Sequence, residues 1–481
     1  MTQITIVGLG PGTPEQLTRE AWAVLTQARE IWLRTVRHPV VPYLPEGLVM
    51  HSFDSLYEEA DTFEAVYDAI VKRVLQLGSR EQGVVYAVPG HPLVGESTVS
   101  RILQAVCQAN VKVRIVSGLS FVEPTLTALS LDALNGLQIM DALDVVTSHY
   151  PALNPDLPVL LAQVYSRSVA SEVKLALMNL YSDEHLTALV DAAGTPAESI
   201  VWGPLYEIDH REVTPLTSLY IVPCSATNSF EGFLETMARL RAPDGCPWDR
   251  EQTHESLRSS LLEETYEVLA AIDAGDVDAL REELGDLLLQ VVFHAQIATE
   301  EDEFRVSDII AGIDAKLKHR HPHVWGDVQV NGARDVTVNW EIIKRQEREK
   351  NGETQRSLLD GIPKTLPALA QCDAYLSRAA RIGLDWSTTT EVVKSVERVV
   401  ESLLQSQTTE DKAGTLGDVL LAIGVRARQL HINPEDALRE ANARFAQRLG
   451  YVERVARQQG VAVEAMPSAE KYRLWGELPA K

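Results

Sequence analysis

Glu264 and Glu267 lie three residues apart, and so do Glu283 and Asp286. Gly275, in Asp273-Ala274-Gly275-Asp276, is the midpoint both of positions 264 and 286 and of positions 267 and 283. An antiparallel helix hairpin folded at that glycine would bring Glu267 to Glu283 and Glu264 to Asp286. Each pair shares one helix face, because residues three apart are neighbours on a helix surface. Four carboxylates then surround one point, roughly 12 Å from the turn. Like charges at that spacing oppose one another's ionisation. Hard divalent ions with oxygen ligands, Mg2+ above all and Mn2+ after it, relieve the repulsion. Acidic residues at helical spacing are ordinarily a solvated face, but two pairs in mirror register favour a metal site.

Basic residues follow this hairpin: Lys316 and Arg320 at i and i+4, then Lys344 four residues after Trp340. Carboxylates that hold Mg2+, with Lys and Arg reaching outward, suit a polyphosphate whose oxygens need both cations and guanidinium forks. His319, His321 and His323 straddle Pro322 at i, i+2 and i+4. That spacing fits neither a helical nor a finger-type zinc site, so they read as structural or ligand-supporting residues. Trp248 and Trp340 read as core or interface residues rather than base-stacking platforms.

The elements that must position these groups change character along the 481 residues. Up to about residue 222, short β-branched runs alternate with helical patterns, as in α/β domains. Strand candidates are Thr5–Gly8, Val84–Val88, Val113–Val116, Val159–Gln163 and Leu219–Val222; helices fall at Phe63–Leu77 and Val99–Gln108. From about Ser229 onward, long amphipathic segments take over. The stretch 223–229 is the seam, and the charged, proline-flanked stretch Arg345–Pro367 joins two helical copies. Gly245-Cys246-Pro247-Trp248-Asp249 is echoed by Gly383-Leu384-Asp385-Trp386-Ser387, and Leu284-Gly285-Asp286 by Leu416-Gly417-Asp418. Superposing the copies puts Arg398, Glu401, Thr415 and Asp418 where the first has its four carboxylates, so the second copy is expected to be catalytically silent. The domains expected are 1–222, 229–345 and 365–481.

The middle segment resembles the MazG family of nucleoside triphosphate pyrophosphohydrolases over about 229–345. The matching residues are Cys246-Pro247-Trp248-Asp249, Glu263-Glu264-Thr265-Tyr266-Glu267, Glu282-Glu283-Leu284-Gly285-Asp286, and Lys316 through Trp325. The resemblance implies an all-α bundle, dimeric through the helical modules, that hydrolyses an NTP to NMP and pyrophosphate. It carries over Glu264, Glu267, Glu283 and Asp286 as metal ligands, and Lys316, Arg320, Trp340 and Lys344 as nucleotide contacts. Glu263 and Glu282, beside the ligands, would support them or orient water. Glu263, Glu267, Lys316 and Arg320 are thus the candidate catalytic residues.

In the amino-terminal part, Gly8-Leu9-Gly10-Pro11-Gly12 follows the first strand, and Thr13-Pro14-Glu15-Gln16 reads as a helix start with Thr as N-cap. A nicotinamide-binding Rossmann unit would need a third glycine at an offset that is absent here. Pro89-Gly90-His91-Pro92-Leu93-Val94, Val116-Ser117-Gly118-Leu119-Ser120-Phe121 and Gly194-Thr195-Pro196 with Trp202-Gly203 follow in order. Together they resemble the tetrapyrrole (corrin/porphyrin) methylase family, over about residues 1–222. The resemblance implies two α/β lobes that bind S-adenosylmethionine between them. It places Pro89, Gly90, Ser120 and Thr195 near the cofactor, with Gly8, Gly10 and Gly12 at the entrance. His91 stands where family members commonly carry Asp, and an imidazole cannot accept ribose hydroxyls as a carboxylate does. Weak cofactor binding or a retained scaffold is the expectation.

The net charge of −24 argues against DNA, RNA or anionic membranes as nonspecific partners. Four scattered cysteines indicate neither a disulfide framework nor a zinc ribbon. No signal peptide or membrane-spanning stretch is legible, so a cytoplasmic location is expected. The leading functional reading is a Mg2+-dependent NTP pyrophosphohydrolase with a role in sanitising nucleotide pools. The alternative readings are an S-adenosylmethionine-dependent methyltransferase with dimerising helical modules, and a nucleotide sensor without turnover.

Overall fold

The structure is a computed structural model that describes residues 3–60, 62–107, 111–350, 357–384, 394, 397–402 and 408–477. The chain divides into two compact units, Met1–Ile309 and Ile310–Lys481.

The first unit opens with a five-stranded, wholly parallel sheet. Its strands are β1 (Gln3–Gly8), β2 (Glu30–Leu33), β3 (Val49–Ser52), β4 (Val84–Val88) and β5 (Lys112–Val116), in the order β3-β2-β4-β1-β5. The central strands of such a sheet are covered on both faces, which is why β1 and β4 read as largely apolar, β-branched runs. Ile4, Ile6 and Val7 are fully buried accordingly. The helix Phe63–Gly78 covers one face through Val66, Ile70, Val74 and Leu77, at helical spacing. Ala21 and Leu25 of Arg19–Gln27 cover the other.

The second lobe is a mixed sheet of β6 (Gln138–Asp141), β7 (Val159–Ala162), β8 (Leu186–Asp191), β9 (Ser199–Pro204) and β10 (Thr217–Ile221), in the order β6-β7-β10-β8-β9. Only β6 and β7 run parallel; the remaining pairs are antiparallel. The five strands and two helices expected from sequence are all present, with ends shifted by a residue or two. The turn at Thr13 has the expected N-cap, Pro at N1 and Gln at N3, but it is short. Pro14–Gln16 is a single 3-10 turn, and the helix proper starts at Arg19, where Thr18 Oγ1 accepts the Ala21 N–H at 3.1 Å. Gln16 answers the Thr13 cap as the sequence suggests, its Oε1 accepting the Thr13 N–H at 3.1 Å, while its Nε2 donates to the Gly194 carbonyl at 3.1 Å.

The seam at 223–229 is pinned by Asp156, which accepts the Asn228 N–H at 2.7 Å and the Ser229 hydroxyl at 2.5 Å. Ser229 in turn caps the helix Phe230–Arg241, accepting the Gly232 N–H at 2.9 Å. Pro247–Glu251, Arg258–Ala274 and Val277–Glu300 complete this helical part, around Met237, Leu257, Val292, Phe293 and Ile297.

The second unit is helical: Pro322–Trp325, Ala333–Lys350, Ala368–Arg381, Thr409–Gln429, Pro434–Gln458 and Ser468–Glu477. The helix Val306–Arg320 begins before the division and ends within it. The cores here are small, one around Val452, Ala456, Met466 and Leu474 and another around Leu376 and Val425. Part of the expected linker Arg345–Pro367, and Asp385-Trp386-Ser387 of the echoed motif, lie outside the described residues. Among the described residues no helix is long and apolar enough to cross a membrane.

Candidate functional site

Arg258–Ala274 and Val277–Glu300 form the antiparallel hairpin, and Gly275 turns between them with φ of 66°. That left-handed conformation is costly for any residue with a Cβ. Asp276 restarts the chain as N-cap, accepting the Asp278 and Ala279 N–H groups at 3.1 Å. The mirror spacing thereby becomes spatial. Glu264, Glu267 and Glu283 each offer an oxygen, all within 4.8 Å of one another. Partial burial, then the charge of Asp286, then that of Glu267, push the Glu264 carboxyl above its ordinary range. Glu283 is raised too, by desolvation first and then by Glu267, Glu282 and Asp286. Mutual repulsion of this kind is what a divalent cation would relieve. Glu263 is exposed beside the cluster.

Lys316, Arg320, Trp340 and Lys344 belong to the second unit. There Arg320 pairs with Glu347, Nη2 to Oε2 at 2.7 Å, and this contact leads the influences that hold the Glu347 carboxyl low. The guanidinium is therefore already engaged by a carboxylate, and a phosphate group would join or replace that partner. Lys344 is half-buried on Ala333–Lys350. Trp340 is 41% exposed and Trp248 62% exposed, so of the core or interface roles expected for them the core role is corrected. Trp248 sits on the short helix Pro247–Glu251. His321 Nδ1 meets the Leu317 carbonyl at 2.7 Å and its ring lies edge-on to Trp325, a structural use of the histidine cluster.

In the first unit the glycine motifs converge. Gly10 and Gly90 exchange backbone hydrogen bonds, at 3.2 and 2.9 Å. A Cβ on Gly8 would stand 2.6 Å from both Gly118 N and the Gly90 carbonyl, and one on Gly12 would stand 3.0 Å from Thr195 Cγ2. Gly8, Gly10, Gly12, Pro89, Gly90, Gly118 and Thr195 thus frame one place, beyond the carboxyl ends of β1 and β4. The chain leaves β1 toward β2 and leaves β4 toward β5, in opposite directions, so this is the topological switch point where open parallel sheets bind ligands. Ser120 is buried and donates to Glu123 Oε2 at 2.6 Å, so its hydroxyl is used within its own turn. His91 Nδ1 accepts the Leu93 N–H at 3.1 Å. The ring face left for a ligand then carries Nε2–H, a donor where an aspartate would accept.

Sequence reasoning missed three contributors here. Gly118 was read as motif but not as a contact. His38 is buried beside Gly10, and burial lowers its pKa to about 4. Glu96, also buried, caps Ser97–Val106 and pairs with Arg34, whose guanidinium lies 5.2 Å from the Tyr67 ring. Lone charged or imidazole residues in loops carry no periodic signal, so only the fold reveals them.

Comparison with known proteins gives these arrangements a lineage. The family model for the MazG nucleotide pyrophosphohydrolase domain matches residues 252–325. The chain is 41% identical over 257 residues to a nucleoside triphosphate pyrophosphohydrolase of Escherichia coli, covering 52% of this chain and 97% of that one. This chain belongs to the MazG family. It carries in addition a tetrapyrrole (corrin/porphyrin) methylase domain, matched over residues 3–209. Another MazG relative, the nucleoside triphosphate pyrophosphohydrolase/pyrophosphatase of Thermotoga maritima, is 38% identical over 51% of this chain and 94% of its own. Bacillus subtilis YabN, described as uncharacterized, is 39% identical over 99% of this chain and 98% of its own length, so it shares both parts.

Proposed function

We propose that this MazG protein hydrolyses nucleoside triphosphates to the monophosphate and pyrophosphate, with Mg2+ or Mn2+ held by Glu264, Glu267, Glu283 and Asp286. The carrying observation is the convergence of three carboxylate oxygens within 4.8 Å, beside a fourth carboxylate, Asp286, whose charge Glu264 and Glu283 feel. An acid-only donor set of this kind suits hard ions rather than zinc. The ions, when bound, would neutralise phosphate charge and lower the pKa of an attacking water. Lys316, Arg320 and Lys344 would grip the polyphosphate, Trp340 would border the base, and Glu263 and Glu282 would orient water or the ligands. Clearance of unwanted nucleotides from the pool is the role that such an activity serves.

The three-domain division at 1–222, 229–345 and 365–481 belongs to the same reading. So does a homodimer through the helical parts: Leu284, Leu288 and Val291 are exposed along one stripe of Val277–Glu300, as are Ile309, Ile313 and Leu317 along Val306–Arg320. The decisive experiment is product analysis by ion-exchange chromatography across a panel of NTPs, with and without Mg2+. NMP and pyrophosphate in equal amounts, only with metal, are expected; NDP plus phosphate, or full turnover in excess chelator, would refute the reading.

A second activity is favoured by the glycine crossing at the switch point of the parallel sheet. We infer that the amino-terminal domain binds S-adenosylmethionine there, with Gly8, Gly10, Gly12, Pro89, Gly90, His91, Ser120 and Thr195 around it. Calorimetry with the cofactor or its demethylated product tests this.

A further inference from the structure

A second group of metal-ligating side chains lies in the first unit, away from the acidic cluster. His254 precedes Arg258–Ala274 in the loop that follows Pro247–Glu251. Glu301 and Glu303 follow Val277–Glu300, where Asp302 takes a left-handed φ of 56° and the Glu303 N–H returns to the Ala298 carbonyl at 2.9 Å. That turn folds both carboxylates back toward the loop. His254, Glu301 and Glu303 each offer one ligand atom, all within 4.8 Å of one another. Ligands of a tetrahedral ion sit roughly 3.4 Å apart, given bonds of about 2.0–2.1 Å. Small side-chain rotations close that gap, since both glutamates are exposed and unconfined by packing.

The second observation concerns the same imidazole. His254 Nδ1 and His294 Nδ1 are 2.7 Å apart, and the ring planes differ by only 16° at a centroid separation of 5.0 Å. Two rings so placed meet edge to edge, nitrogen to nitrogen. One Nδ1 must donate and the other accept, so one ring carries its proton on Nδ1 and has a bare Nε2. A metal-binding histidine is ordinarily held in that state, donating its second N–H to a fixed acceptor. His294 is half-buried on Val277–Glu300, fixed beside His254 where its Nδ1 can accept. It lies eight residues beyond Asp286, roughly 12 Å along the helix, so the two groups are separate sites.

We propose that His254, Glu301 and Glu303 bind a divalent transition metal ion of the zinc type, with His294 positioning the His254 ring. Imidazole beside carboxylates selects Zn2+, Co2+ or Ni2+ over Mg2+, in contrast to the all-oxygen cluster nearer the turn. The ion would clip the segment before one helix to the end of the next, closing the open end of the hairpin that carries Glu264 and Asp286. The neighbouring Glu300 is already tied to Arg241, Oε2 to Nη2 at 2.7 Å, so the helix end is anchored where the clip would act.

The test uses Co2+ on the full-length chain, stripped of metal by chelator, in an E264Q E267Q background that removes competition from the acidic cluster. One equivalent of Co2+ is expected to survive dialysis against millimolar Mg2+ and to give the visible absorption of a histidine-bound, low-coordinate ion. H254Q and, separately, E301Q E303Q should each weaken Co2+ binding at least tenfold. The glutamate pair is exposed, so its replacement leaves the fold intact should H254Q fail to fold. H294Q should keep an absorption band but shift the hyperfine-displaced imidazole N–H resonance, because it changes the acceptor and not the ligands. No retained Co2+ in the E264Q E267Q protein, or retention unaltered by both ligand variants, would overturn the proposal.

Discussion

Asp286 faces Glu264 across the helix hairpin and, after partial burial, is the largest influence that lifts the Glu264 carboxyl above its ordinary range. A carboxyl raised in this way binds protons more tightly when folded than when unfolded. Its contribution to stability is therefore present at low pH and lost as pH rises through the folded pKa. Glu283 acts in the same direction. In chelator at pH 7, E264Q E283Q is accordingly expected to unfold at a higher temperature than the parent protein, with the gap closing as pH falls through the raised range of these two carboxyls. Mg2+ should reverse the order, because only the parent gains binding energy from the ion. Calorimetry of the helical transition reads both effects, and a parent transition indifferent to Mg2+ would remove the metal site.

His91 is left with Nε2–H as its remaining polar group because Leu93 occupies Nδ1. Restoring an acceptor by H91D should tighten S-adenosylmethionine binding by about tenfold, a typical worth of one charge-assisted hydrogen bond. Titration calorimetry on the full-length protein makes the comparison. Equal affinities would show that this turn does not meet the ribose.

The hairpin was legible because its information is local: two pairs, one glycine and the helical period decide which side chains meet. The same holds for β1, β4 and β7, whose predominantly apolar runs follow from burial on both faces. β2, β3, β6, β8 and β9 were not legible. Glu30 and His51 within β2 and β3 interrupt the apolar pattern, and the antiparallel β9 leaves Val201 and Trp202 exposed. Gln16 shows a further limit, since the capping pattern was real but a contact 178 residues away, at Gly194, decided where its amide points. Arg320 reads as a phosphate ligand in sequence, and nothing local announces Glu347 as its partner.

His38 is buried beside Gly10, and its pKa falls to about 4 from the ordinary 6.5. The folded protein therefore excludes a proton that the unfolded chain accepts. Stability from this group is full above pH 6.5 and declines as pH falls toward 4, by up to about 3 kcal/mol. H38N, which cannot titrate, should flatten that part of the stability profile of the amino-terminal domain. Urea unfolding at pH 7 and pH 5 is sufficient, and an unchanged slope would mean that the imidazole is solvated in solution.

The carboxy-terminal copy is helical over most of its described residues but has only two of the four carboxylates. At its ligand positions Arg398 brings a fixed cation, and Thr415 Oγ1 donates to the Asp411 carbonyl of its own helix at 2.7 Å. Glu401 and Asp418 remain, both exposed. Among the described residues the ligand-capable clusters of three are His254 with Glu301 and Glu303, and Glu264 with Glu267 and Glu283, both in the first unit. Arg448, which echoes Arg320, lies 5.8 Å from the Trp475 ring, and Phe445 meets the same ring edge-on at 4.7 Å. The copy is thus invested in packing. E401A D418A should hydrolyse NTPs at close to the parent rate, whereas E264A E267A should lose more than about a hundredfold in kcat/KM, because ion binding and phosphate neutralisation fail together. W475A should lower the melting temperature of the second unit without changing KM. Loss of turnover in E401A D418A, with E264A E267A intact, would move the active site to the other copy.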